Sequence, residues 1–148
     1  MSGAGEYIHA TAVVVAEGAV LIRGVSGAGK SQLALALMAE ARRRGLFTRL
    51  IGDDRVAVTM AGGRALVRGH PAVSGLIEER GTGLLPESRE NIGLLRCIVD
   101  LSDAPTRLPD EESGMAVLEG VRLPALTIWT GCPPQEGARR ILAVLKWV

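Results

Sequence analysis

Short apolar runs separated by turn-forming residues dominate the first quarter of the chain. ATAVVVA and GAVLIRG lie on either side of Glu17-Gly18. Their length and β-branched content predict two strands joined by a tight turn. From residue 30 the period changes. Leu33, Leu37 and Ala41, with Ala34 and Met38 beside them, recur at helical spacing. A helix over 30–44 is predicted, with Gly45 as its C-terminal cap. FTRLIG predicts a strand that stops at Asp53-Asp54, and RVAVTMAGGRALVRG a hairpin turning at Gly62-Gly63. Residues 70–93 read as loop-rich. LLRCIVDL (94–101) predicts a buried strand, and SDAPTRLPDEESG an exposed loop. MAVLEG and VRLPALTIW predict further strands. QEGARRILAVLKW predicts a closing amphipathic helix with Ala138, Ile141, Leu142 and Leu145 on one face. One strand–loop–helix unit among strands and hairpins predicts an α/β domain with a mixed sheet. Too few helices alternate with the strands for a regular doubly wound fold.

Composition narrows the classes. The chain has 148 residues, the size of one domain over 1–148. Hydrophobic residues make up 47% and aromatics 3%, so aliphatic side chains must fill the core. So few rings argue against a stacking platform for single-stranded nucleic acid. A net charge of +1 gives no general attraction to nucleic acid or to a membrane. The one basic cluster, Arg42 to Arg44, complements the dipole at a helix end. No apolar run is long enough to span a membrane, and no signal peptide is recognisable. Cys97 falls in a predicted strand and Cys132 in a Pro-containing loop. Two isolated cysteines point to reduced thiols in a cytoplasm, and neither has metal-site spacing. Trp129 and Trp147 read as core or oligomer contacts, and His70 before Pro71 as the opening of a turn.

The chemistry concentrates in GVSGAGKS, residues 24–31. The letters fit G-x-x-x-x-G-K-[ST], between a predicted strand and a predicted helix. In a P-loop of this kind Gly24, Val25, Ser26, Gly27, Ala28 and Gly29 turn backbone N–H groups toward phosphate oxygens. The helix that continues through Gln32 adds its positive end. Lys30 places a charge on the β- and γ-phosphates, and Ser31 offers a hydroxyl to magnesium. The expected ligands are therefore a nucleoside triphosphate and Mg2+. Asp53 and Asp54 end the next strand, on the edge where ligands collect in open α/β sheets. One can hold a magnesium-bound water and the other can accept the proton of an attacking hydroxyl. Their spacing does not say which does which.

A third stretch, GLIEERGTGLL (75–85), makes the pattern specific. Beside the P-loop and GDD it resembles the signature L-E-I-R-G-x-G-[IL]-[IL] of the bacterial HPr kinase/phosphorylase family. Residues 77–85 occupy those places, with Glu79 where the family has an apolar residue. The resemblance covers residues 8 to about 101 well and the tail loosely. It implies a P-loop domain related to phosphoenolpyruvate carboxykinase, assembled as a homo-oligomer, usually a hexamer. It implies transfer of phosphate from ATP to a serine of HPr, the phosphocarrier protein of the sugar phosphotransferase system, and in many members the reverse reaction with inorganic phosphate. By the same resemblance His9 matches the family's histidine upstream of the P-loop. Lys30 matches its phosphate-binding lysine, Ser31 and Glu78 its magnesium ligands, Asp54 its proton acceptor with Asp53 beside it, and Arg80 the signature arginine. Arg107 matches an arginine after the IVDL strand.

Three departures shape the expectation. Gln32 stands where the family commonly has Glu. The chain begins almost at the catalytic domain, as in a short form. The basic PVRPGRN-like segment tied to dephosphorylation has no match in LPALTIWTGCPPQEG. Kinase activity with weak or absent phosphorylase activity is the expectation. The alternative is a nucleotide-binding regulatory module with little catalysis.

Overall fold

The computed structural model describes residues 7–70, 76–79, 83–86, 89–104 and 115–145. Its elements are β1 (Tyr7–Ile8), β2 (Ala10–Val15), β3 (Gly18–Arg23), α1 (Lys30–Arg43), β4 (Thr48–Gly52), β5 (Val56–Ala61) and β6 (Arg64–Gly69). They continue with β7 (Leu76–Glu79), β8 (Gly83–Pro86), β9 (Ile92–Ser102), β10 (Met115–Leu118), β11 (Val121–Trp129) and α2 (Pro134–Leu145). The main sheet runs β1-β5-β6-β9-β3-β2-β4, and β11 adds to β9 and carries β10. It is mixed: β3 and β11 run parallel to β9, whereas β6 is antiparallel to it. An α/β architecture with a mixed sheet is therefore what the chain forms.

The sheet curls. Its β4 end meets β6, where a Cβ built on Gly69 would stand 2.1 Å from the Ile51 carbonyl oxygen. Only glycine permits that approach. The curl gives the central strands two covered faces. On one, α1 and α2 lay Leu33, Leu37, Met38, Ala138, Ile141 and Leu142 over Val13, Val20, Ile22 and Val99. On the other, Ile51, Val56, Ala65 and Val67 close over Ala12, Leu21 and Ile98. Strands covered on both sides read as continuous apolar runs, as ATAVVV does. β6 has one covered side, so buried Ala65 and Val67 alternate with exposed Arg64 and Arg68. Each fully buried Leu or Ile contributes about 1.5–3 kcal/mol.

Helix α1 stops where the sequence predicts. Gly45 adopts φ 78°, its N–H donates to the Arg42 carbonyl, and the Leu46 N–H reaches back to the Ala41 carbonyl. This is a Schellman cap. The turn at Gly62-Gly63 has φ 59° and 77°, the paired positive values of a type I′ hairpin. Two expectations need correction. Within 70–93, β7 and β8 pair as an antiparallel ribbon, from Leu76 with Pro86 to Glu79 with Gly83. Trp129 is not core: it is 43% exposed, the rim of its ring lying over Gly131. Most of the loop expected at 102–114 lies outside the described residues, as does Trp147.

Candidate functional site

The glycine-rich loop leaves the C-terminal end of β3, flanked there by β9. Arg23, the last residue of β3, forms a two-pronged ion pair with Asp100 of β9, at 2.7 and 2.9 Å. The paired carboxylate raises the arginine pKa against the opposing effect of burial. The pair ties the loop's point of departure to its neighbouring strand. At Gly24 a Cβ would stand 3.1 Å from the Leu101 Cβ, so the loop leaves the sheet through a gap sized for glycine. The Ala28 N–H donates to the Val25 carbonyl, closing a turn, and Gly27 and Gly29 take φ 84° and 102°. The positive values are ones that L side chains rarely adopt. Gly29 is the N-cap of α1 and offers no side-chain oxygen to the first-turn N–H groups. Such donors suit an anion.

Lys30 is buried, with only 6% of its surface exposed. Its ammonium donates to the Gly24 carbonyl (2.9 Å) and the Val25 carbonyl (3.3 Å). Asp54 Oδ1 lies 3.5 Å away. Ser31, next on the helix, donates its hydroxyl to Asp53 Oδ1 at 2.6 Å. The two acids reached by separate sequence arguments therefore meet the two residues that end the glycine-rich motif. Their turn is held from β2. Thr11, fully buried, donates to Asp53 Oδ1 (2.8 Å) and accepts from the Asp54 N–H (3.1 Å). Asp54 sits at φ 60°, a left-handed conformation uncommon outside glycine but several-fold enriched for Asp. His9 Nδ1 is 3.8 Å from Asp54 Oδ2, so His9 also belongs to this cluster.

The arrangement separates the pair. Asp53 faces the helix hydroxyl, whereas the Asp54 side chain is 56% exposed and stands between Lys30 and His9. Gln32 faces away from the acids, into a cleft beside α2. Glu78 lies in β7, whose backbone passes beside α1. Arg80 and Arg107 lie outside the described residues. The turn expected after His70 lies outside the described residues; the His70 ring meets Tyr7 edge-on at 4.6 Å, and with Ile8, His9 and Arg55 the pair lines a shallow cleft next to Asp54. Sequence reasoning missed Thr11 and the Arg23–Asp100 pair. The available signal for Thr11 was one hydroxyl in an otherwise wholly apolar strand.

The donor set around Ser31 consists of oxygen: one hydroxyl and one carboxylate at hydrogen-bond distance. Oxygen donors fit magnesium, which takes one or two protein carboxylates and keeps water and phosphate oxygens for the remainder. Among the described residues no group of three or more His, Cys, Asp or Glu side chains is placed to hold a metal. No described helix is long and apolar enough to cross a membrane.

Comparison with known proteins identifies the family. The family model of the HPr serine kinase C-terminal domain matches residues 3–93. The chain belongs to that family. An HPr kinase/phosphorylase of Mycoplasma mycoides is 39% identical over 83 residues, which are 56% of this chain and 25% of that protein. The HPr kinase/phosphorylase of Levilactobacillus brevis is 42% identical over 81 residues, 54% of this chain and 24% of its own length. The match thus spans about a quarter of the length of either relative. The Hpr(Ser) kinase/phosphatase structure from Coxiella burnetii superposes with a TM-score of 0.73 at 20% identity, covering 95% of this chain and 94% of that one. At that identity the likeness concerns the fold.

Proposed function

We propose that the chain acts as an ATP-dependent protein-serine kinase whose substrate is the phosphocarrier protein HPr. The observation that carries this reading is the convergence of Lys30 with Asp54 and of Ser31 with Asp53 at the mouth of the glycine-rich loop. The family membership and the names of its relatives support the choice of substrate.

In this reading the loop is a P-loop, in a domain related to phosphoenolpyruvate carboxykinase. The N–H groups of residues 24–29 and the first turn of α1 hold the phosphates, and Lys30 offsets charge on the β- and γ-phosphates. Ser31 and Asp53, with Glu78 on β7, would hold Mg2+. When bound, the ion neutralises charge on the phosphate oxygens. The serine hydroxyl of HPr attacks the γ-phosphorus in line. The bond to the β,γ-bridging oxygen breaks, ADP leaves, and the serine proton passes to Asp54. Exposure of Asp54 lets a protein-borne hydroxyl reach it, and His9 orients the carboxylate. Arg80 and Arg107 offset charge on the transferring group. Such positioning and charge stabilisation make up most of what a kinase site supplies.

The proposal includes assembly as a homo-oligomer in the cytoplasm, with phosphorylase activity weak or absent. The test is transfer of label from the γ-phosphate of ATP to purified HPr. Label on serine is the expected result. Intact ATP binding without transfer would favour the regulatory module.

A further inference from the structure

We infer that the nucleoside half of the triphosphate lies in the cleft between residues 27–29 of the glycine-rich loop, the first turn of α1 and the β11–α2 turn. The inference rests on the phosphate-binding reading above and extends it from the phosphates to the base and sugar.

Direction comes first. Lys30 and Ser31 face the acid pair of the β4 end, and in a loop of this kind the lysine reaches the β- and γ-phosphates. The γ end of a bound triphosphate therefore points toward Asp54. Its α end points the other way along the loop. There Gln32 and Leu33, the next residues of the helix, line a cleft of about 480 Å3. That volume falls within the usual range for small-molecule sites, about 300–1,000 Å3.

The lining suits a neutral, flat, half-apolar group. Leu33, Leu101 and Ile128 give it aliphatic walls, and Leu33 and Ile128 are almost wholly buried beneath it. Gln32 and Thr130 supply an amide and a hydroxyl at the rim, and Cys132 closes the far side. No charged side chain is among the described residues that line it. Charged groups adjoin the cleft at its Cys132 wall, where the thiol donates to Glu136 Oε2 at 3.0 Å and Arg139 and Arg140 stand near it, whereas along Leu33, Leu101 and Ile128 a nucleobase would find packing surface, with two hydrogen-bonding groups at the rim. The β11–α2 turn that forms its outer wall is fixed by the Thr130 N–H, which donates to the Ser102 carbonyl at 2.8 Å, and by the Cys132 N–H, which donates to the Trp129 carbonyl. The wall is thus anchored to β9, the strand beside the loop's own β3.

The chain's two cysteines supply a probe. Cys97 is fully buried, and Cys132 lines the cleft with part of its surface exposed. Maleimide modification of the intact chain should therefore report Cys132. At ten times its dissociation constant, ATP should slow that labelling about tenfold by mass action. Inorganic tripolyphosphate, which fills the loop but has no base, should leave the rate unchanged. A Cys132→Trp variant should lose ATP affinity by tenfold or more relative to its own tripolyphosphate affinity, about the scale of filling an apolar pocket. ATP that binds without protecting Cys132 would overturn the inference, as would a Cys132→Trp chain with unchanged ATP affinity. If the unmodified chain binds neither ATP nor tripolyphosphate, the phosphate-binding reading itself fails and takes the nucleoside site with it.

Discussion

The Ser31 hydroxyl donates to the Asp53 carboxylate at 2.6 Å across 22 residues of chain. This contact joins the start of α1 to the end of β4 and leaves Asp54, the next residue, facing Lys30. Neighbouring acids so placed have different surroundings, and different surroundings permit different work. Asp53 shares its oxygen Oδ1 between two hydroxyls, while Asp54 presents an exposed carboxylate to solvent and to any incoming group.

Lys30→Ala removes the buried ammonium from the mouth of the loop. ATP affinity should fall, and phosphotransfer to HPr should drop to background. Calorimetric titration with ATP and a labelled-transfer assay check both. A Lys30→Ala chain that transfers phosphate at the unmodified rate would remove the loop from the mechanism.

Thr11 has no expected contact with substrate, yet it holds both acids. Thr11→Val keeps the shape and leaves the buried end of the turn without its hydroxyl. The cost in stability should be about 1–3 kcal/mol, the scale for an orphaned buried polar group. Transfer should slow with little change in ATP affinity, and Thr11→Ser should restore it. Urea denaturation and the transfer rate, measured on the same three chains, separate this positioning role from a purely structural one.

How much of this was legible in the sequence depends on range. α1 begins at Lys30 as its 3.6-residue period predicts, and it ends at a glycine whose cap needs only nearby carbonyls. The Gly62-Gly63 hairpin is likewise local. β1 is two residues long and exists by pairing Tyr7 with Ala57 and Ile8 with Val56, a partnership no local period reports. β7 and β8 are four residues each and are joined through a Gly-containing stretch, so turn-forming residues outweighed their strand signal. At the site, the glycine loop and Asp53-Asp54 could be read from residue type and order. Thr11 could not, because its partners lie 42 and 43 residues away and the antiparallel pairing of β2 with β4, which sets Ala12 opposite Gly52, brings them to it. The strand pattern of VRLPALTIW did not reveal that Trp129 would sit at the open end of β11 instead of in the core.

Cys97 gives a pH prediction. Burial pushes its thiol up to about 12 from the ordinary 9.0. Between those values the unfolded chain releases a proton that the folded chain retains. The group's contribution to stability is therefore fully present below pH 9 and is lost as pH rises toward 12. Cys97→Ala should show a shallower decline in stability over that window than the unmodified chain. Chemical denaturation at a series of alkaline pH values decides it, with equal slopes as the contrary result.

The direction of the reaction can be tested separately. Phosphorolysis must hold inorganic phosphate beside phosphoserine, and two like-charged groups need dense positive charge nearby. Where the resemblance would place the family's basic segment, this chain has β11, VRLPALTIW, whose single cation is Arg122. Phosphoserine-HPr incubated with the chain, magnesium and inorganic phosphate should release pyrophosphate far more slowly than the forward reaction proceeds. Comparable rates would show that residues outside β11 supply the charge, with Arg139 and Arg140 of α2 the first to substitute.

The central claim is that Asp54 takes the proton of the attacking hydroxyl while Asp53 serves the metal side of the site. Asp54→Asn preserves shape and removes the base. The most direct measurement follows ATP affinity, magnesium dependence and the rate of phosphoserine formation in the unmodified chain, in Asp54→Asn and in Asp53→Asn. Asp54→Asn should keep magnesium-ATP binding and lose about 10²–10⁴-fold in rate, the usual scale for loss of a general base. Asp53→Asn should first require more magnesium. An Asp54→Asn chain as fast as the unmodified one, beside an inactive Asp53→Asn, would contradict the assignment.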